Sequence, residues 1–200
     1  RDAGGISGGP LLPIAIASIQ LLRSLVGPEK LIIGCGGAGK STFGIHLAER
    51  TGLPLIHLDQ AFWRPGWTVT PRIEWRGTVN RLVAAPAWIL EGNYENSLDL
   101  RLPRADTVIW FDMPRHLCLR RVAKRMLTTY GRVRLDMAPG CPERLDLAFL
   151  TWIWNFNRTT RPKIQAMLDL HGSHLQPVIF RRDRDVRVFL RSALVNGPRS

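Results

Sequence analysis

Cysteine, lysine and acidic side chains are the scarce components of this 200-residue chain. Its 3 cysteines, Cys35, Cys118 and Cys141, are odd in number, far apart and without C-x-x-C spacing. That excludes a disulfide framework and a zinc ribbon and fits a reducing cytoplasm. No apolar run is long enough to cross a bilayer; Leu11 to Val26 comes nearest and is broken by Pro13, Gln20 and Arg23. No basic segment precedes it as in a signal peptide, so residues 1–29 read as a leader or short helix, with no membrane partner. Internal repeats and low-complexity tracts are also missing, which excludes solenoids and disordered arrays.

Acids number 16 against 28 bases, a formal charge of +12, and 24 of those bases are arginine. Arginine forks suit phosphate or carboxylate better than diffuse solubilising charge, so an anionic partner is expected. The surplus is uneven. Residues 1–100 hold 9 bases and 8 acids, whereas residues 101–200 hold 19 and 8.

Short apolar runs of strand length recur at Leu31 to Ile33, Leu55 to Leu58, Trp88 to Leu90, Thr107 to Phe111 and Pro177 to Phe180. Their continuity, without polar alternation, is that of strands covered on both faces. Helical patterns lie between and after them, at about Lys40 to Arg50, Pro71 to Ala84, Pro114 to Thr129, Glu143 to Asn157, Pro162 to Leu170 and Asp183 to Leu194. The order predicts a doubly wound α/β domain over residues 30–195, with about five parallel strands, helices on both faces and a 196–200 tail.

The strongest motif is GCGGAGKST, Gly34 to Thr42, which satisfies G-x-x-x-x-G-K-S/T between a strand and an amphipathic helix. Glycines let successive N–H groups turn toward a polyphosphate, and the helix N-terminus adds its positive end. Gly34, Gly36, Gly37, Ala38, Gly39, Lys40, Ser41 and Thr42 are therefore expected to hold the phosphates of a nucleotide, with Lys40 on the β- and γ-phosphates and the Ser41 hydroxyl on Mg²⁺. The fold expected is that of a P-loop NTPase. Cys35, inside the loop, reads as a small filler.

Two acids fall at strand ends, where ligands of doubly wound folds bind. Asp59, at the end of the second strand, is placed to take a proton from an acceptor hydroxyl or to anchor the acceptor. Phe62-Trp63-Arg64-Pro65-Gly66-Trp67 follows, offering Trp63, Arg64 and Trp67 as an aromatic and cationic pocket. Glu91, ending the third strand, is placed to hold Mg²⁺ directly or through water, and Asn93 and Tyr94 beside it join the acceptor site.

Asp112-Met113-Pro114 reads as a helix start with the acid near the N-cap. In the helix, Cys118, Leu119, Val122, Ala123 and Met126 share one face and Arg120, Arg121, Lys124 and Arg125 the other. From Arg101 to Arg134 there are nine bases and two acids, a density that repels itself without an anion nearby. Arg121 and Arg125 are the expected cations around a transferring phosphoryl group, and Arg158 and Arg161 a second clamp.

Together these segments resemble P-loop kinases related to adenylate kinase, and in particular the small bacterial proteins named DNA topology modulation proteins. The resemblance covers about residues 31–192 and rests on GCGGAGKST, LDQAFWRPGW from Leu58, WILEGNY from Trp88, Arg101 to Arg125, and APGCPERLD from Ala138. It implies a short lid at about 126–144 into which Arg121 and Arg125 project, and places Arg182 where the family covers the adenine base. Adenylate kinases also carry a D-G-F-P-R motif at the third strand and T-G-D-x-x-R after the second. Here Glu91-Gly92-Asn93-Tyr94 has no arginine, and Asp59 with the tryptophan-rich loop replaces the second motif.

The expected activity is transfer of the γ-phosphoryl group of ATP to a small-molecule acceptor, with a hydroxyl as the receiving group. A nucleoside monophosphate kinase is the alternative. A nucleotide-dependent DNA-binding regulator is a second, drawn from the basic half of the chain.

Overall fold

The apolar runs at 31–33, 88–90 and 107–111 become strands that see solvent on neither face. In the computed structural model, which describes residues 27–175 and 177–195, β1 (Glu29–Gly34) carries Leu31, Ile32 and Ile33, all fully buried. The leader expected at 1–29 falls almost wholly outside the described residues, as does the 196–200 tail.

β1 pairs in parallel with β5 (Trp88–Glu91) on one side and β6 (Thr107–Phe111) on the other. β5 continues to β2 (Leu55–His57), and β6 to β7 (Val178–Phe180), also in parallel. The order β2-β5-β1-β6-β7 puts the first strand at the centre and brings the ends of β1, β2 and β5 together. The register sets Glu91 opposite both Ile32 and His57.

α1 (Lys40–Thr51) follows the phosphate loop and packs on β1, β2 and β5. Its Phe43 is the centre of an aromatic cluster, with ring centroids 5.3 Å from Phe111, 5.5 Å from Phe180 and 5.7 Å from Phe189. Edge-on contacts of this kind add about 0.5–1.5 kcal/mol each beyond the area they bury, which fixes the helix under the loop it begins. At the opposite end of β1, fully buried Lys30 meets Asp106 Oδ1 at 2.7 Å, and Asp106 Oδ2 accepts the Glu29 N–H at 2.6 Å. One carboxylate thereby joins β1 to the start of β6.

Between β2 and β5 lie α2 (Leu58–Phe62), an antiparallel hairpin of β3 (Trp63–Arg64) and β4 (Thr68–Val69), and α3 (Arg72–Val83). α4 (Leu98–Arg101) follows β5. α5 (Arg115–Thr128), α6 (Leu147–Thr159) and α7 (Arg161–His171) separate β6 from β7, and α8 (Asp183–Val195) closes the described chain.

Several expectations shift. β2 stops at His57, so Asp59 stands in the first turn of α2 and not on the strand. Asp112 does not cap α5: Pro114 holds that position, and the Asp112 carboxylate receives Arg161 Nε at 2.9 Å and Nη2 at 3.0 Å. Ala123 is exposed rather than part of the apolar face. The helix expected from Glu143 begins four residues later, because Glu143 instead pairs its backbone with Gly131 and Arg132 (both 2.8 Å) and Asp146 accepts the Phe149 N–H at 2.9 Å as the cap. The non-helical segment between α5 and α6 is therefore 129–146, slightly later than the expected lid.

Candidate active site

The backbone of the phosphate loop has no room for side chains where the motif has glycine. Gly37 has φ 75°, and a Cβ there would stand 2.6 Å from the Cys118 carbonyl oxygen; at Gly34, with φ 139°, it would stand 2.5 Å from the Phe111 oxygen. Gly39 takes the left-handed conformation at the N-cap of α1, with φ 98°. The loop is thus held against β6 and α5 with its curvature dictated by glycine. Cys35 is buried, and the Cys118 thiol beside it together with burial pushes its own thiol up, which keeps it protonated as an inert filler.

At the loop's exit, Lys40 Nζ donates to the Cys35 carbonyl at 3.1 Å and lies 3.6 Å from Glu91 Oε1. Ser41 Oγ donates to Glu91 Oε2 at 3.1 Å, and His57 Nδ1 is 3.0 Å from the same oxygen. Burial would raise the Glu91 carboxyl, but Lys40, His57 and Ser41 outweigh it and hold the group below the usual carboxylate range. His57 shows the converse. Burial lowers it, and the Glu91 bond and charge, with Asp136 and Asp59 nearby, more than reverse this and raise it.

Asp59 faces the same space. Burial raises its carboxyl above the usual range, and the Tyr94 hydroxyl, donating to Oδ1 at 2.5 Å, only partly opposes this. Tyr94 has φ 37° and follows Gly92 at φ 148°, a turn that brings Asn93 and Tyr94 back across the end of β5. The turn rests on Arg101, fully buried in α4, which donates to the carbonyl oxygens of Gly92 (3.0 Å), Asn93 (2.5 Å) and Tyr94 (2.8 Å).

A cavity of about 510 Å³ joins these groups. The phosphate loop, Lys40, Ser41, Asp59 and Glu91 line one part, and Trp63, Trp67, Asn93, Tyr94, Met137 and Glu143 line the rest. Arg121 and Arg125 both enter it from α5. Arg121 Nη2 sits 2.7 Å from each oxygen of Asp183, with Nη1 at 3.5 Å from the Ala38 carbonyl of the loop. Arg125 has a different partner, Glu143 Oε2 at 3.2 Å, which Arg134 Nε also approaches at 3.0 Å.

The 129–146 segment is tied to the β3–β4 hairpin. Gly66 N donates to Gly140 O at 2.9 Å, Trp67 Nε1 to Pro142 O at 3.0 Å, and Cys141 Sγ lies 3.1 Å from Arg64 O. Met137, Ala138 and Cys141 form a small core of their own with Trp63 and Trp67.

No protein-family model matches this chain. Among curated proteins it is 32% identical over 74 residues to the mitochondrial dihydroorotate dehydrogenase (quinone) of Schizosaccharomyces pombe, a stretch covering 37% of this chain and 16% of that protein. The chain thus spans about a sixth of the length of the curated relative it matches. Among solved structures it is similar to a shikimate kinase from Acinetobacter baumannii in complex with shikimate, with a TM-score of 0.54 at 17% identity over 91% of this chain and 95% of that one. A deoxyadenosine kinase from M. mycoides has a TM-score of 0.49 at 11% identity, over 84% of this chain and 96% of its own. The fold is that of the P-loop kinases.

On this P-loop kinase fold, the expected nucleotide residues Gly34, Gly36, Gly37, Gly39, Lys40, Ser41 and Thr42 line the cavity together with Asp59, Trp63, Trp67, Glu91, Asn93, Tyr94, Arg121 and Arg125. Ala38 is buried behind the loop. Four expected residues stand apart from that lining. Arg64 pairs with Glu74 outside, Arg158 is exposed, and Arg161 is drawn to Asp112, its guanidinium 5.4 Å from the Trp110 ring centroid. Arg182 is exposed beside Arg120 and His116 in a separate shallow depression.

Sequence reasoning missed His57, Arg101, Arg134, Asp136 and Glu143. A signal existed for His57, which stands two residues before Asp59 at the end of a parallel strand. Nothing local marks the other four, whose roles depend on distant partners.

Proposed function

We propose that the protein is an ATP-dependent kinase that phosphorylates a hydroxyl group of a small molecule. The carrying observation is the joining of Asp59 to the phosphate loop and the Ser41–Glu91 pair in one cavity. A kinase of this kind needs a polyphosphate cradle, cations for the transferring group and an acid–base residue within one space.

In this reading the N–H groups of residues 34–42 cradle the nucleotide phosphates, and Lys40 turns from the Cys35 carbonyl to the γ-phosphate. Arg121, beside the loop, supplies the second cation. Ser41 and the anionic Glu91 suit Mg²⁺, an ion that takes few protein oxygens and fills its remaining positions with water and phosphate. When bound, that ion neutralises phosphate charge. Asp59 takes the acceptor's proton as its oxygen bonds to the γ-phosphorus, and the bond to the bridging oxygen breaks to leave ADP. Trp63, Trp67, Asn93 and Tyr94 orient the acceptor. Arg125 is compensated by Glu143 and serves the 129–146 segment, which acts as a lid. The resemblance to the DNA topology modulation proteins fits this reading, as do the solved kinases that share the fold.

The test is incubation of a metabolite extract with γ-labelled ATP and Mg²⁺. Wild-type protein should transfer label, and Lys40→Ala should lose it by about 10²–10³-fold. Equal turnover by the two would refute the assignment. A nucleoside monophosphate kinase is less supported, because residues 91–94 provide no arginine for an acceptor phosphate; a panel of AMP, CMP, GMP, UMP and dTMP checks it. DNA binding draws on the exposed bases Arg120, Lys124, Arg184, Arg187 and Arg191, and requires an affinity for duplex DNA that falls steeply with salt.

A further inference from the structure

The cavity holds five basic and six acidic side chains, although the chain as a whole carries a large basic surplus. The cations on the walls away from the phosphate loop are Arg125, Arg134 and Arg144. All three already face a carboxylate of this chain. Arg125 and Arg134 converge on Glu143, Arg134 Nη1 also reaches Asp136 Oδ2 at 3.2 Å, and Arg144 Nη2 lies 3.5 Å from Asp146 Oδ2. The Glu143 side chain is 4% exposed, so a buried negative charge is built into the position that an acidic substrate would otherwise occupy. A carboxylate or phosphate on the acceptor would have to displace Glu143 or lie close to it, to Asp136 and to Asp59 in a poorly screened space.

Among the described residues these walls leave mainly hydrogen-bond acceptors open: Asn93 Oδ1 and Glu143 Oε2 are buried without a hydrogen-bond partner, and of the buried donors on the walls only Arg125 Nε lacks one, keeping its ion-pair contact with Glu143. The Asn93 side-chain oxygen is buried without a partner, while its nitrogen donates to Glu95 Oε2 at 3.1 Å. Among the described residues Asp59 has one side-chain donor, Tyr94. Such groups call for O–H or N–H donors on the ligand. Trp63 and Trp67, edge to face at 5.3 Å beside Met137, add an apolar surface.

Resting on the kinase reading above, we infer that the acceptor is a hydroxyl compound with no carboxylate or phosphate group, a polyol or amino alcohol recognised through its own O–H and N–H donors. Asn93 and Asp59 read those donors, the tryptophans cover the carbon skeleton, and Glu143 excludes anions by keeping Arg125 and Arg134 occupied.

The experiment is a labelled-ATP transfer assay on a metabolite extract split at neutral pH by an anion-exchange resin. The flow-through, holding neutral and cationic compounds, should accept at least about tenfold more label than the retained fraction, a tenfold ratio being about 1.4 kcal/mol of discrimination. Transfer confined to the retained fraction overturns the inference and leaves the kinase reading standing. No transfer from either fraction, by protein that still binds ATP, overturns both. Glu143→Gln supplies a second measurement: with the planted charge removed, retained compounds should begin to accept label, and an unchanged preference among folded protein would refute the role of Glu143. Asp136→Asn asks the same question at Arg134 if Glu143→Gln does not fold.

Discussion

Arg101 donates to the main-chain oxygen of Tyr94 at 2.8 Å, and Tyr94 in turn donates through its hydroxyl to Asp59 at 2.5 Å. The candidate base is therefore positioned by a guanidinium that never meets solvent. Burial is the main influence on Arg101 and pushes it down to about 9, with Tyr94, Asp99 and Glu95 opposing. It remains charged at neutral pH and donates to four carbonyls, that of Ser97 included at 3.3 Å.

Replacing Arg101 with Met keeps the buried volume and removes every one of those donors. The expected cost is about 3 kcal/mol, since each buried carbonyl left without a partner costs roughly 1–3 kcal/mol and some will find water. Urea denaturation followed by circular dichroism measures it. A midpoint equal to wild type would show that the 92–94 turn holds without Arg101.

Asp59→Asn separates chemistry from stability. Because burial raises the Asp59 carboxyl, the group is protonated at pH values where ordinary carboxylates are ionised. A base must be ionised, so kcat/KM of wild type should fall with acidification through a limb above the usual carboxylate range, and Asp59→Asn should remove the activity and the limb together. The stability effect has the opposite sense. A folded-state value above the unfolded one means that stability declines as pH rises between the two, so Asp59→Asn should melt higher than wild type at neutral pH and lose that advantage in acid. A variant less stable at neutral pH would contradict the raised value.

At the far end of β1 the two members of one ion pair should respond unequally. Asp106→Ala leaves the fully buried Lys30 ammonium without a counter-charge, with only the Gly27 carbonyl and the Thr107 hydroxyl as partners, and frees the Glu29 N–H, at an expected cost of about 3–5 kcal/mol. Lys30→Met removes a charge from a dry site and leaves Asp106, 24% exposed, partly in water. Its cost should be the smaller by at least about 1 kcal/mol. Thermal melts of the two variants decide the order.

Gly37→Ala tests the approach of the phosphate loop to α5. The new methyl would meet the Cys118 carbonyl and strain a residue at φ 75°. A loss of about 1–3 kcal/mol in stability is expected, together with weaker nucleotide binding by isothermal titration. Unaltered binding would show that the loop reshapes freely.

The main sheet was legible because its strands are covered on both faces: Leu31 to Ile33 and Thr107 to Phe111 carry no polar alternation, and the phosphate motif fixed which strand comes first. The 63–69 hairpin is not legible in the sequence, since two-residue strands leave no periodicity. At the site, Lys40, Ser41, Asp59 and Glu91 were readable from their places after strands. Electrostatic partners were not. Arg125 looked like a free cation in a basic stretch because Glu143 reaches it only after residues 129–146 fold back on α5. The basic surplus was likewise assigned to the site, whereas much of it lies outside on the exposed positions of α5 and α8.

The bonds between residues 64–67 and 140–142 join two pieces of chain that enter the sheet on different strands. Gly140 lies so near Pro65 that an added methyl would stand 2.9 Å from it. The tryptophan wall and the covering segment consequently form one jaw, not two independent flaps. On the proposed kinase reading, a motion of this jaw would carry Trp63 and Trp67 together with the 129–146 segment, so nucleotide binding and acceptor binding are expected to report on each other.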